Sequence, residues 1–227
     1  MPFKRRSLFP YCAATLIASA GPRLAFAQQV ANEDPNSQSE IPQPYRIVNI
    51  PQFKNTVIEI FEFGCPYCRA LNNQLVQWGE TLPHGWSFVQ IPALVSQQYY
   101  VMSLAYLAEK EADPNGLQAF MTHCFSLIQD QGYNIADVKT YMKAASLTGT
   151  NLSDFYNAFI DPKNKSTLAE IVRLNSEAAI VDTPSLIING EFLVTPNDTN
   201  GNYGLFISLA NGLVSQVIQS TSQNNSN

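Results

Sequence analysis

The chain has 227 residues, 45% of them hydrophobic and only 14% charged, which is enough apolar material to bury the core of one domain with an insertion. Its formal net charge of −5 argues against nucleic acid or an anionic membrane surface as its main partner. The sequence contains no internal repeat and no long low-complexity tract, so a repeat architecture is excluded and a globular protein is indicated.

The first residues have the features of a cleaved export signal. Three basic residues at positions 4–6 precede an apolar stretch over residues 7–20, and the Ala-Phe-Ala of residues 25–27 offers small side chains where a signal peptidase reads the chain. We therefore predict a signal peptide over residues 1–27. An uncleaved anchor is the alternative, which we disfavour because the apolar stretch is too short for a membrane span. Whether export follows the general or the twin-arginine route stays open.

Removing this segment makes the rest of the chain more acidic. The segment holds four basic residues and no acidic ones, so nine basic residues remain against 18 acidic ones, a formal charge of −9. Residues 28–44 are polar and contain several prolines, which predicts a flexible leader to the domain.

The first elements of the domain are predicted to be a strand, a helix and a strand. Residues 56–63 form a nearly all-apolar, β-branched and aromatic run, typical of a central strand covered on both faces. Apolar residues then recur at helical spacing from Leu71 to Leu82, and residues 86–91 have strand character again. This order indicates a right-handed βαβ unit.

The middle of the chain is predicted to be helical, with four or five helices between Gln97 and Ala179. The helix starts are indicated by capping residues, and proline at a first helical position strengthens two of them. These signals are Asp113-Pro114, Asn134 with Asp137, Asn151 with Asp154, and Asp161-Pro162.

Strands return near the end of the chain. Residues 185–188 and 191–195 flank Asn189-Gly190, a dipeptide suited to a type I′ hairpin turn. A last helix is predicted over residues 203–218, followed by a fraying tail. The assembled order, βαβ, a helical insertion, then ββα, predicts an α/β fold with a mixed sheet covered by helices.

The residues that carry chemistry are Cys65-Pro66-Tyr67-Cys68, at the junction of the first strand and the first helix. At a helix N-terminus, Cys65 faces unpaired backbone N–H groups and the positive end of the helix dipole, which favour the thiolate. Pro66 suits the first helical position, and the helical turn brings Cys68 back far enough to close a Cys65–Cys68 disulfide. Cys65 is thus the predicted reactive sulfur, and Cys68 the one that resolves a mixed disulfide.

Three other interpretations of this pair are possible. A zinc half-site completed by Cys124, His84 or His123 is disfavoured because the sequence has no second CxxC and no closely spaced His pair, so neither a metal nor a cofactor is expected. A purely structural disulfide would stabilise little, because it closes a very short loop. A motif retained by a peptide-binding protein stays open. Cys124 itself lies on an apolar helical stripe and is predicted to be a buried structural thiol.

The chain resembles the DsbA family of periplasmic disulfide oxidoreductases, which have a thioredoxin fold with an inserted helical domain. The resemblance is carried by VIEIFEFGCPYC (57–68) and VDTPSLIING (181–190). It implies thioredoxin-like parts over residues 45–95 and 166–220 and a helical domain inserted over residues 96–165. Residues 221–227 are predicted from their polar composition to be a disordered tail.

The resemblance also implies roles for further residues. Thr183-Pro184 matches the cis-proline loop that lies against the active-site disulfide and binds substrate, with an ordinary trans proline as the alternative. Thr183 and the dipeptide Pro66-Tyr67 would tune the redox behaviour, and Tyr67 replaces the better-known histidine, which leaves the strength of oxidation open. Glu59 matches a buried glutamate that relays protons for the second cysteine; a carboxylate reaching solvent is the alternative.

The function implied is oxidation of thiols in unfolded or reduced exported proteins in the periplasm. The Cys65–Cys68 pair would donate its disulfide, and a DsbB-like membrane oxidase would restore it. We expect a monomer with no nucleic-acid partner. A reductase or isomerase is one alternative, although residues 28–44 are too short for the dimerisation domain that such isomerases carry. A peptide-binding, chaperone-like module with incidental thiols is the other.

Overall fold

Five strands form one mixed sheet in the computed structural model, which describes residues 43–224. The predicted signal peptide and most of the leader lie outside the described residues. In chain order the strands are β1 (Arg46–Ile47), β2 (Thr56–Phe61), β3 (Ser87–Pro92), β4 (Ser185–Ile188) and β5 (Phe192–Val194). Across the sheet their order is β1-β5-β4-β2-β3.

Seven α-helices lie within the described part of the chain: α1 (Pro66–Glu80), α2 (Tyr100–Ala112), α3 (Leu117–Gln129), α4 (Val138–Thr148), α5 (Leu152–Ile160), α6 (Pro162–Glu177) and α7 (Tyr203–Asn224). Short 3-10 helices occupy Pro51–Phe53, Gln97–Tyr99 and Pro196–Thr199. Between residues 43 and 224, no helix is both long and apolar enough to cross a membrane.

The predicted βαβ unit is confirmed. β2 pairs with β3 in parallel, from Thr56 opposite Ser87 to Phe61 opposite Pro92, and α1 connects the two strands. β2 is nearly all apolar because it is a central strand: β3 and β4 lie on its two sides, and all its residues after Thr56 are buried.

The predicted hairpin is confirmed as well. β4 pairs antiparallel with both β2 and β5. Asn189 and Gly190 join β4 to β5 with φ angles of 59° and 67°, the left-handed conformation that a type I′ turn requires at both central positions. A side chain at Gly190 would also collide with the Ile50 carbonyl, so the turn needs glycine there.

The helical middle consists of five helices, α2 to α6, within the predicted number. Asn151 caps α5 by accepting the N–H groups of Ser153 and Asp154, and Asp161 caps α6, whose first residue is Pro162. Both starts are confirmed. α6 runs across residue 165, where we place a domain boundary, and the domain boundaries stay a prediction.

Two of the predicted helix starts are corrected. Asp113 ends α2 instead of starting a helix, because its carboxylate accepts the N–H of Gly116 and closes a turn before α3. The next helix, α4, begins after Asp137, while Asn134 caps the preceding turn through the N–H of Ala136. A capping side chain marks where chain direction changes, and packing decides whether a helix or a turn follows.

The final helix is longer than predicted. α7 continues past Ile218 to Asn224, so residues 221–224 of the predicted disordered tail are helical. Its inward face carries Phe206, Ala210, Leu213 and Val214, which pack with strand residues of the sheet. Helix formation propagates easily from such an anchored segment, which accounts for the polar extension.

Apolar packing connects the end of β2 to the helical middle. Phe63, just after β2, is fully buried, and its ring lies edge-on to Phe125 at a centroid distance of 5.2 Å. Its other ring neighbours are Phe61, Phe120 and Tyr141. Cys124 is buried in the same cluster, which confirms its predicted place in the core. The segment leading to Cys65 is therefore held by α3 and α4.

Candidate active site

The site is built where β2 ends and α1 begins. Cys65 is the N-cap of α1, and its sulfur accepts the backbone N–H of Cys68 at 3.4 Å. Pro66 occupies the first helical position, as predicted. The sulfur of Cys65 thus lies at the positive end of the helix, where N–H groups lack partners within the helix.

The surroundings of Cys65 favour its thiolate. Its pKa is lowered from 9.0 to about 6, chiefly by the hydrogen bond from the Cys68 side chain. Partial burial opposes this effect, and hydrogen bonding with the Thr183 side chain and with the backbone of Cys68 and Tyr67 adds to it. A cysteine with such a pKa is ionised at neutral pH and can act as a nucleophile or as a good leaving group.

Cys68 has the opposite character. Its side chain is fully buried, and burial raises its pKa well above 9.0. Hydrogen bonding to Cys65 and the negative charges of Cys65 and Glu59 raise it further, while hydrogen bonding to the Glu62 backbone lowers it. Both cysteines are free thiols in this structure. The pair therefore combines a reactive sulfur at the helix tip with a protonated sulfur one turn inside.

The loop before β4 lies against the reactive sulfur. The Thr183-Pro184 peptide bond is cis, which confirms the expectation and makes the trans alternative wrong. The Thr183 carbonyl oxygen is 3.1 Å from the sulfur of Cys65. Ser185, the first residue of β4, holds the loop by donating from its hydroxyl to the Asp182 carbonyl at 2.6 Å. The fold therefore brings Thr183 into contact with the sulfur of Cys65, although the two residues are 118 positions apart in sequence.

Glu59 lies in the interior beneath the two cysteines. It belongs to β2, only 1% of its surface is exposed, and Gln90 on β3 donates to its Oε2 at 2.8 Å. The alternative of a carboxylate that reaches solvent is wrong. Burial raises the pKa of Glu59 from 4.5 to about 7; the Gln90 hydrogen bond lowers it, and the Cys65 charge raises it. The carboxyl group can therefore both hold and release a proton near neutral pH.

Tyr67, between the cysteines, is a surface residue. More than half of its side chain is exposed, and its ring lies edge-on to Tyr203 at the start of α7, with centroids 6.3 Å apart. It presents an aromatic face beside Cys65, and the tuning role that the resemblance implies for Pro66 and Tyr67 stays a prediction.

Gln129 is a site residue that no sequence pattern indicated. From the end of α3, its side-chain amide donates to the carbonyl oxygens of Phe63 at 2.8 Å and of Cys65 at 3.1 Å. These two bonds tie the reactive loop to the helical middle. A single polar residue at a helix end is common in sequences, and its partners are more than 60 positions away, so only the fold reveals this contact.

The zinc interpretation finds no support in the described residues. Between residues 43 and 224, no three His, Cys, Asp or Glu side chains are grouped so that they could hold a metal ion. Cys124 lies in the core of the helical middle, and His84 lies in an exposed turn after α1.

Comparison with known proteins gives a matching family and a consistent group of relatives. The model of the family described as Thioredoxin matches residues 51–202, which include both cysteines and the cis-proline loop. A protein of Pseudomonas syringae pv. tomato named thiol:disulfide interchange protein DsbA is 28% identical over 141 residues, 61% of this chain and 64% of that protein. The protein of the same name from Bordetella bronchiseptica is 24% identical over 212 residues, 90% of this chain and 91% of that protein.

Solved structures show the same likeness in fold. The crystal structure of Pseudomonas aeruginosa DsbA matches with a TM-score of 0.71 at 20% identity, covering 79% of this chain and 95% of that one. The oxidoreductase DsbA from Xylella fastidiosa matches with a TM-score of 0.65 at 21% identity, covering 77% of this chain and 95% of that one. Both structures share the thioredoxin-like fold of this chain over 95% of their own length.

Proposed function

The chain belongs to the thioredoxin family, in its DsbA group of thiol:disulfide oxidoreductases, and we propose that it introduces disulfides into exported proteins by exchange through Cys65 and Cys68. The observation that carries the proposal is the opposite character of the two sulfurs. The pKa of Cys65 is lowered to about 6, and that of the buried Cys68 is raised. Because the reduced form is stabilised by the Cys65 thiolate, the disulfide form is a good oxidant.

The first step is attack on the disulfide form. A substrate thiolate attacks the Cys65 sulfur, a substrate–Cys65 bond forms, and the Cys65–Cys68 bond breaks with its electron pair going to Cys68. An unprotonated sulfur is costly at the buried position of Cys68. Glu59, with a pKa of about 7, supplies the proton that this sulfur needs.

The second step releases the oxidised substrate. A second substrate thiolate attacks the substrate sulfur of the mixed disulfide, and Cys65 leaves as a thiolate. Its low pKa makes it a good leaving group. Two electrons pass in total from the substrate dithiol to the Cys65–Cys68 pair, which ends in the dithiol form.

Substrate binding is proposed for the surface around Cys65. The Thr183-Pro184 loop places a backbone carbonyl 3.1 Å from the sulfur, and backbone at such an edge can pair with an extended peptide. Exposed apolar side chains flank it, with Tyr67 on one side and Val181, 79% exposed, on the loop. Apolar side chains suit an unfolded substrate, whose own apolar residues are not yet buried.

Location and partners complete the proposal. We place the protein in the periplasm after removal of residues 1–27, acting as a monomer. A DsbB-like membrane oxidase would accept the two electrons and restore the Cys65–Cys68 disulfide. The relatives named as thiol:disulfide interchange proteins support the exchange chemistry on which this proposal depends. They do not favour a dedicated reductase or isomerase, nor a peptide-binding module with incidental thiols.

The test is disulfide transfer in solution. The oxidised protein, starting at Gln28, is mixed with a reduced, unfolded protein that contains several cysteines, and disulfide formation is followed over time. We expect stoichiometric transfer by the wild type and none by Cys65→Ser. Cys68→Ser serves as the control that retains the outer thiol but cannot form the internal disulfide. Equal behaviour of the wild type and Cys65→Ser would refute the proposal.

A further inference from the structure

Three side-chain carboxamides form a closed hydrogen-bonded ring behind Glu59. Gln90 Nε2 donates to Asn72 Oδ1 at 2.9 Å, and Asn72 Nδ2 donates to Gln118 Oε1 at 3.2 Å. Gln118 Nε2 closes the ring by donating to Gln90 Oε1 at 2.6 Å. Within the ring, each amide donates one hydrogen bond and accepts one, so the orientation of one amide determines the orientation of the other two.

The ring leaves one N–H of Gln90 for Glu59. A carboxamide has two N–H donors and one carbonyl oxygen. The second N–H of Gln90 donates to Glu59 Oε2 at 2.8 Å, while its oxygen is occupied by Gln118. If the Gln90 amide turned over, its oxygen would face the carboxylate and repel it. The donation from Gln118 therefore holds Gln90 in the orientation that stabilises the Glu59 carboxylate.

Burial makes this orientation matter. Asn72 and Gln90 are 3% and 6% exposed, so water cannot easily replace a lost donor at Glu59. Gln118 is the half-buried member of the ring, and it lines a crevice between α1, β3, α2 and α3. The other groups facing Glu59 electrostatically are Cys65 and Cys68, and Tyr106 on α2. Within the described residues, Gln90 is the side chain that donates a hydrogen bond to Glu59.

We infer that Gln118 is a positioning residue of the redox centre: through Gln90 it keeps Glu59 able to exchange a proton with Cys68 near neutral pH. The inference rests on the proposed function, in which Cys68 must gain and lose a proton. It assigns helix α3 a part in the chemistry of a site whose cysteines lie at the start of α1. Gln118 touches neither sulfur, so its influence passes entirely through the ring.

The test compares Gln118→Met with a matched control on the same helix. Methionine fills the space of glutamine and keeps water from Gln90, but it cannot donate a hydrogen bond. Thr122→Val is the control: the Thr122 hydroxyl donates to the Gln118 carbonyl at 2.9 Å, so this variant also loses one hydrogen bond on α3 but leaves the ring intact. Gln118→Leu is a second variant with the same expectation.

The ionisation of Glu59 is measured directly by infrared difference spectroscopy on the reduced proteins, with Glu59→Gln to assign the carboxyl band. Without the donation from Gln118 the Gln90 amide is free to turn, which weakens its hydrogen bond to the charged Glu59, so we expect the titration midpoint in Gln118→Met to rise by roughly one pH unit. The pH profile of disulfide transfer should move upward with it. Thr122→Val should titrate like the wild type.

The outcomes separate this inference from the proposed function. A wild-type midpoint in both Gln118→Met and Gln118→Leu would overturn the role of Gln118, whatever their activity. A shift of equal size in Thr122→Val would also overturn it, because the effect would then be a general response of α3. If the wild type transfers no disulfide, the proposed function fails, and the midpoints still decide whether Gln118 controls Glu59.

Discussion

Replacing Glu59 by glutamine should make the reduced protein more stable at neutral and alkaline pH. The pKa of Glu59 is raised from 4.5 to about 7 in the folded protein, so between these values the folded state binds more protons than the unfolded state. The free energy of unfolding therefore falls as pH rises from about 4.5, and the full cost of holding the ionised carboxyl group in its buried position is present above about pH 7. At about 1.4 kcal/mol per pH unit, this cost is about 3 kcal/mol.

The assay is urea unfolding of the reduced wild type and Glu59→Gln at pH 5 and at pH 8. Cys65, whose pKa is lowered, contributes a pH dependence of the opposite sign, with stability gained as pH rises above about 6. The difference between the two proteins at each pH removes most of this contribution. Relative to the wild type, the free energy of unfolding of Glu59→Gln should rise by about 3 kcal/mol from pH 5 to pH 8. The part of the ionisation cost that the wild type already bears at pH 5 is subtracted from this figure.

A matched control is Glu170→Gln, which changes an exposed glutamate on α6 in the same way. It should follow the wild type at both pH values, because this variant keeps the buried carboxyl group of Glu59. If Glu59→Gln and the wild type show the same pH dependence, Glu59 is not held as a buried carboxyl group whose ionisation costs stability.

Three further predictions concern the reactive loop and its support. Alkylation of Cys65 in the reduced protein should follow a midpoint near pH 6, with Cys68 unreactive until the protein unfolds; a midpoint near pH 9, measured by mass spectrometry, would contradict the thiolate assignment. Gln129→Leu should cost about 1–3 kcal/mol in urea unfolding, because it leaves the Phe63 carbonyl without its donor, while the Cys65 carbonyl keeps the N–H of Arg69; an unchanged stability would contradict that role. Arg69→Leu breaks a two-point ion pair with Asp130, yet both side chains are 40–50% exposed, so we expect little change in stability in the same measurement; a loss as large as that of Gln129→Leu would show that the pair is not a surface contact.

Much of the secondary structure could be predicted from the sequence because it depends on neighbouring residues. The apolar run of β2 and the dipeptide Asn189-Gly190 each allow essentially one local structure, and both were predicted correctly. Asp113 shows where neighbouring residues alone did not determine the structure. An aspartate before a proline can cap a helix or close a turn, and the packing of α2 and α3 made it a turn.

The reactive pair was likewise readable from position. A cysteine after a buried strand and before a proline must lie near a helix N-terminus, and this alone predicts the favoured thiolate at Cys65. The sequence left two alternatives for the position of the Glu59 side chain. Its position in an apolar strand predicted burial or escape to solvent, and the pairing of β2 with β3 and β4 on its two sides decided for burial.

The sequence by itself determined where a reactive sulfur would stand, because strand, cap and helix are set by neighbouring residues. Tertiary structure alone decided what controls that sulfur and its partner. The Thr183 carbonyl comes from 118 positions away, and Asn72, Gln90 and Gln118 come from three separate elements. An amide side chain has no local pattern that announces its hydrogen-bond partner, so only the packed fold could bring these groups together and orient them around Glu59.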